Sequence, residues 1–163
     1  MKRILIAYAT ETGSTAEVAK SVAETLSSKG FGVDVKHVGE VDRLDGYDGV
    51  VVGSPIQGMR WRPDAVAFVE RHRAELKKTP TALFLLSVAL SGGSEFWKGK
   101  VRQSLDGISA GLDVVSRGFF AGKIRQDPPF ILRLVFSLKK GMDKDARDWG
   151  AIKAWAEDLA TKL

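Results

Sequence analysis

At 163 residues, with 44% hydrophobic and 28% charged content, the chain has the size and apolar fraction of one globular domain with its own core, and no room for a second. It holds no cysteine, which excludes disulfides, thiolate nucleophiles and Cys-ligated metal centres, so any redox chemistry has to come from a bound cofactor. The net charge of +5 favours anionic partners without choosing among carboxylate substrates, acidic proteins, nucleic acid and anionic membranes. No apolar run is long enough to cross a bilayer, and Met1-Lys2-Arg3 leads into a strand-like run with no cleavage site, so a cytoplasmic protein is expected.

Taken in chain order, strand and helix signals alternate. Arg3 to Tyr8 (RILIAY) is a nearly continuous apolar run, the pattern of a parallel strand buried on both faces, and it is predicted to be central. From Thr15 the period changes: Val18, Ala19, Val22, Ala23 and Leu26 fall at helical spacing, and Gly30 follows where a helix end wants a left-handed residue. Val33 to Val38 alternates like a half-buried edge strand, and Gly49 to Val52 is apolar again before Gly-Ser-Pro. Pro63 suits the first turn of a helix with Val66, Phe68, Val69 and Leu76 on its face. Thr81 to Val88 reads as the fourth strand, Phe96 to Leu112 as a helix with Trp97, Val101, Leu105 and Ile108 inward, and Val114 to Ala121 as the fifth strand. The run from Ala146 to Leu163 is a closing helix with Trp149, Ile152, Trp155 and Leu159 on one side. Strands alternating with helices pair in parallel through right-handed crossovers, which predicts an α/β doubly wound five-stranded parallel sheet of order 2-1-3-4-5. Ligands of such sheets bind beyond the carboxyl ends of the strands, where the loops after the first and third strands meet.

Three loops therefore carry the candidate chemistry. In the first, Thr10, Glu11, Thr12, Gly13, Ser14 and Thr15 combine four hydroxyls with one glycine at a helix N-terminus, which is what a monophosphate needs. The cluster alone would serve equally as a helix cap, and its place after the first strand favours phosphate. It has neither the lysine of a nucleotide triphosphate loop nor dinucleotide spacing. Histidines 37 and 72 stand apart with no carboxylate pattern around them, and Asp143, Asp145 and Asp148 read as helix capping, so no metal is expected.

The stretch Tyr8 to Thr15 resembles the FMN phosphate signature of flavodoxins, and the topology agrees along essentially the whole chain. Gly53 to Trp61 followed by Phe68-Val69, and the stretch Gly141 to Trp149, are similar to the menaquinone-dependent protoporphyrinogen IX dehydrogenase group. The resemblance implies a flavodoxin-like single domain over residues 1–163 and one FMN. It also implies a second loop, Ser54, Pro55, Ile56, Gln57, Gly58 and Trp61, facing the isoalloxazine, with Gly58 free to turn its carbonyl toward the ring and Trp61 able to stack on it or to pack on the next helix. The third loop, Ser87, Val88, Ala89, Leu90, Ser91, Gly92 and Gly93, offers donors for the pyrimidine edge. Arg60 and Arg62 are expected to border the ring and favour its reduced form.

An apolar insertion around residues 123–144 separates the fifth strand from the last helix. Phe130 to Leu138, flanked by Lys139 and Lys140, suits either a helix packed on the sheet, a homodimer face, or peripheral contact with a membrane. Two functions follow from the resemblance: an FMN flavoprotein oxidoreductase of heme biosynthesis, passing electrons from protoporphyrinogen or another reduced substrate to a quinone, or a carrier between redox proteins. An NAD(P)H:quinone reductase is a third. Family carriers are acidic around the flavin, so the surplus of Lys and Arg favours the enzyme. Nucleic acid is not an expected partner.

Overall fold

The computed structural model describes residues 1–57, 59–92, 94–122 and 147–163. Along these the chain forms β1 (Arg3–Tyr8), α1 (Ser14–Ser28), β2 (Gly32–His37), a single 3-10 turn (Val38–Glu40), β3 (Gly49–Gln57), β4 (Arg60–Trp61), α2 (Pro63–Arg71) and α3 (Arg73–Leu76). It continues with β5 (Thr81–Ser87), α4 (Ala89–Gly92), α5 (Glu95–Ser109), β6 (Val114–Ala121) and α6 (Trp149–Ala160).

Ile4, Leu5, Ile6 and Ala7 of β1 are fully buried, so that strand needs cover on both faces. It lies between β2 and β3, parallel to both, with Ile4 opposite Val33 and Gly49. The sheet runs β2-β1-β3-β5-β6, and β4 pairs antiparallel with β3 alone. With the two-residue β4 set aside, this is the expected doubly wound order. Successive residues of each strand point to opposite layers. Ile4, Ile6, Val51 and Phe84 pack with Val22 and Leu26 of α1 and Ile152 and Leu159 of α6. Leu5, Val50, Val52 and Leu83 pack with Phe68 of α2, Leu76 of α3 and Leu105 of α5. Gly53 stands opposite Phe84, and a Cβ there would overlap the Phe84 ring, so only glycine lets β3 and β5 close at this level.

Four expectations are corrected. The helix read through Leu76 breaks at His72, which is buried and lies 4.8 Å from Phe68, centroid to centroid; its apolar spacing continues across the break, so periodicity does not reveal it. The chain between Ala89 and Gly92 is a helical turn rather than open loop, started by the Ser87 hydroxyl accepting from the Ala89 N–H at 3.2 Å. Strand β4 is an addition, because two residues carry no period. Trp149 is 41% exposed beneath the Arg147 guanidinium, while Ile152, Ala156 and Leu159 form the buried face of α6. Gly58, Gly93, the insertion at 123–144 with Phe130 to Leu138, and residues 141–146 lie outside the described residues. Among the described residues, no helix is long and apolar enough to cross a membrane.

At the amino ends of β1 and β2, the Tyr47 hydroxyl donates to the Asp34 carboxylate at 2.6 Å, and Arg3 pairs with the same oxygen at 3.0 Å. The Tyr47 hydrogen bond, aided by Arg3 and opposed by partial burial, holds the Asp34 carboxyl below its ordinary value; burial, and then Asp34 itself, pushes the Tyr47 phenol up. A depressed acid contributes stability that is present above its unfolded value and lost as pH falls through the folded one; a raised phenol contributes stability lost as pH rises through its folded value. Tyr47→Phe is therefore expected to cost about 1 kcal/mol at neutral pH after allowance for solvent screening. The difference from wild type should shrink below about pH 4 and above about pH 10 in urea unfolding. An equal difference at every pH would show that the hydroxyl acts only through packing.

Candidate functional site

Every strand of the parallel sheet ends on one edge, and the first, second and third of the candidate loops open there side by side. The Ala9 N–H donates to the Gly53 carbonyl at 2.9 Å, which ties the exit of β1 to that of β3. The first loop then closes tightly: the Thr10 hydroxyl accepts from the Gly13 N–H at 2.9 Å, and Gly13 has φ 92°, a left-handed conformation natural to glycine. Gly13 is also the N-cap of α1, and among the described residues no side chain caps that helix. Its first-turn N–H groups, at the positive end of the helix dipole, are left for a ligand. Beside them the Thr15 hydroxyl is fully buried with no hydrogen-bond partner. Such a group is costly to leave alone, and together with the bare N-terminus it fits an anion rich in acceptor oxygens, such as a phosphate monoester.

A cleft of about 210 Å³ runs from this point. Glu11, Thr12 and Ser14 of the first loop line it, with Pro55, Ile56 and Gln57 of the second and Val88 of the third. Leu86 and Gly122 complete the wall; the sequence reading did not include them. Gly122 donates its N–H to the Ser87 carbonyl at 3.0 Å, and a Cβ on it would press on the Ser87 and Val88 backbone. The available signal was its position directly after the fifth parallel strand. The lining thus joins the polar first loop to the mostly apolar residues of the second and third, a combination that suits a phosphorylated aromatic ligand.

The remaining residues singled out in the sequence stand behind this wall. Ser54 is buried, its hydroxyl accepting from the Arg62 N–H at 3.1 Å and donating to the Pro55 carbonyl at 2.9 Å, so it braces the β3–β4 hairpin. Ser87 and Ala89 are buried under α4, and Leu90 packs against the core. Ser91 and Gly92 complete that turn, while Gly58 and Gly93 are outside the described residues. Trp61 is 3% exposed and borders a different cleft, between α2 and α5.

Charge at the rim is shared between the loops. Arg62 reaches Glu11 of the first loop at 3.8 Å and Asp64 at 3.1 Å, and His37 lies 3.7 Å from Asp64. Among the described residues no group of three acidic or histidine side chains could hold a metal ion. Among the described residues that line the cleft, Glu11 is the titratable one, and the others supply binding and orientation.

Replacing Thr15 by valine keeps the shape and removes the orphaned hydroxyl. The apoprotein is expected to gain about 1 kcal/mol of stability, while affinity for FMN falls about tenfold and that for riboflavin, which lacks the phosphate, stays unchanged. Thermal unfolding and flavin titration check both signs; unchanged FMN affinity would move the hydroxyl off the phosphate.

Comparison with known proteins agrees with this geometry. A flavodoxin domain model matches residues 5–141. Protoporphyrinogen IX dehydrogenase [quinone] of Escherichia coli strain K12 is 28% identical over 88 residues, covering 53% of this chain and 49% of the relative, so the chain is matched over about half the length of that protein. Among solved structures, the flavodoxin of Streptococcus pneumoniae TIGR4 superposes with a TM-score of 0.65 at 22% identity, covering 99% of each chain. Flavodoxin 1 of Bacillus cereus superposes at 0.62 with 15% identity and 99% coverage of each. The chain belongs to the flavodoxin family, whose cofactor is FMN and whose chemistry is electron transfer.

Proposed function

We propose that this protein is an FMN-dependent oxidoreductase that removes hydrogen from a porphyrinogen-class substrate and delivers the electrons to a quinone. The observation that carries the reading is the 88-residue similarity to a quinone-linked protoporphyrinogen IX dehydrogenase. The cationic composition supports it, because a porphyrinogen bears carboxylates and a net charge of +5 draws such substrates in. Bound FMN would supply a two-electron acceptor able to hand electrons on. The chain's own part is to hold and orient: Thr12, Ser14, Thr15 and the bare turn of α1 toward the phosphate, Pro55 to Gln57, Leu86 and Val88 along the ring. A lipid-soluble quinone is met at a membrane surface, which the apolar run Phe130 to Leu138 with its flanking lysines suits.

Anaerobic mixing of the FMN-loaded protein with protoporphyrinogen, a quinone and oxidised redox proteins, side by side, tests the reading. Porphyrin fluorescence and quinone bleaching are expected together, with about three quinones reduced per porphyrin formed, since the porphyrinogen gives up six electrons and each quinone takes two. Electron delivery to redox proteins alone would make it a carrier, and direct oxidation of NADPH would make it a nicotinamide-linked quinone reductase.

Arg62 tunes this site through charge. It stands at the rim between Glu11 and Asp64, and it offsets their repulsion of electrons entering the flavin. Arg62→Glu is expected to lower the midpoint potential of bound FMN by tens of millivolts. Redox titration of both forms measures it, and equal potentials would mean that Glu11 and Asp64 screen the arginine completely.

A further inference from the structure

We propose that the cleft between α2 and α5 is a second binding site, for a flat, neutral, apolar ligand carrying a carbonyl oxygen, of the quinone class. The cleft has a volume of about 600 Å³, within the range of small-molecule sites and nearly three times that of the flavin cleft. Its walls are mostly apolar: Met59, Trp61, Pro63, Val66, Ala67 and Ile108.

Two observations choose the ligand. Trp61 is 3% exposed, and its indole N–H is buried without a hydrogen-bond partner. An indole nitrogen only donates, so what satisfies it is an acceptor, and the mostly apolar surroundings place that acceptor on an apolar skeleton. The polar side chains of the cleft include Arg60 and Glu70, opposite in sign, so neither an anion nor a cation is selected.

The position is as telling as the chemistry. Ile56 pairs across the β3–β4 ladder with Trp61, and Gln57 with Arg60. Ile56 and Gln57 line the flavin cleft, while Arg60 and Trp61 line this one. One hairpin is thus the shared wall of both cavities, and an acceptor bound at Trp61 lies a single hairpin's thickness from the flavin site. The assignment rests on the reading of the protein as a quinone-linked oxidoreductase, and it adds where the quinone is held.

The test uses the FMN-loaded protein with 15N-labelled tryptophan and 2-methyl-1,4-naphthoquinone as probe. The chain has four tryptophans, and Trp61→Phe identifies the Trp61 indole resonance. That resonance is expected to shift saturably on titration, the other three much less. Trp61→Phe, which keeps the ring and loses the donor, should weaken naphthoquinone binding about fivefold. Ala67 is exposed on α2, so Ala67→Trp can fill the cleft without disturbing the core; it should abolish naphthoquinone binding while FMN still binds one per chain. A stationary Trp61 resonance at saturating naphthoquinone, or an Ala67→Trp variant that binds or reduces the quinone as wild type does, would overturn the assignment. The quinone-linked reading fails separately, if wild-type protein loaded with FMN and reduced anaerobically does not reduce the naphthoquinone.

Discussion

The constraint from which the rest of the structure follows is that β1 is sealed from water on both faces. A strand with Ile4, Leu5, Ile6 and Ala7 all buried cannot sit at an edge or under a single layer, so it draws parallel neighbours to each side and helices above and below. Parallel neighbours require crossovers, and crossovers put every strand's carboxyl end on the same edge. The polar groups that the interior excludes, the hydroxyls of the first loop and the first-turn N–H groups of α1, are gathered there, and among them the Thr10 hydroxyl is taken by the Gly13 N–H while the buried Thr15 hydroxyl has no partner. The unpartnered Thr15 hydroxyl is the visible remainder of that arrangement, a local cost that the fold accepts at the start of α1.

The β3–β4 hairpin is the second organising element. Ser54 fixes it from within, Arg62 ties it to Glu11 across the rim, and Asp64 carries the same network toward His37 at the end of β2. Polar contacts thereby link the loops of three neighbouring strands across the rim. Such contacts are individually weak at a wet surface, and their use lies in setting the field around a cleft whose lining is otherwise largely neutral. The hairpin also divides two cavities of different character, one with polar donors at its head and one apolar apart from a buried indole N–H and a charged rim.

Much of this was legible in the residues. Continuous apolar runs announce strands buried twice over, and the changes of period at Thr15, Pro63 and Phe96 announce helices, because both signals record burial along a local segment. The hydroxyl-rich loop was legible for the same local reason: its donors are consecutive. What the apolar period misses is whatever is too short to carry a period or leaves the period unchanged. Strand β4 exists only because Gln57 and Arg60 meet; the break at His72 interrupts a helix without changing its apolar spacing. Trp149 shares the spacing of the closing helix and is nonetheless exposed, since it stands at the first position of α6.

The sequence by itself determined the class of fold, the order of strands and the hydroxyl-rich loop at the head of the first helix, because each is written in runs of neighbouring residues whose burial or hydrogen bonding is decided within a few turns. Only the tertiary structure decided that Leu86 and Gly122 complete the cleft beside that loop, that Ser54 braces a hairpin instead of lining it, and that Trp61 turns to a second cavity. These outcomes depend on which side of a strand pair a residue emerges and on what lies opposite it, and that is settled by the packing of elements far apart in the chain.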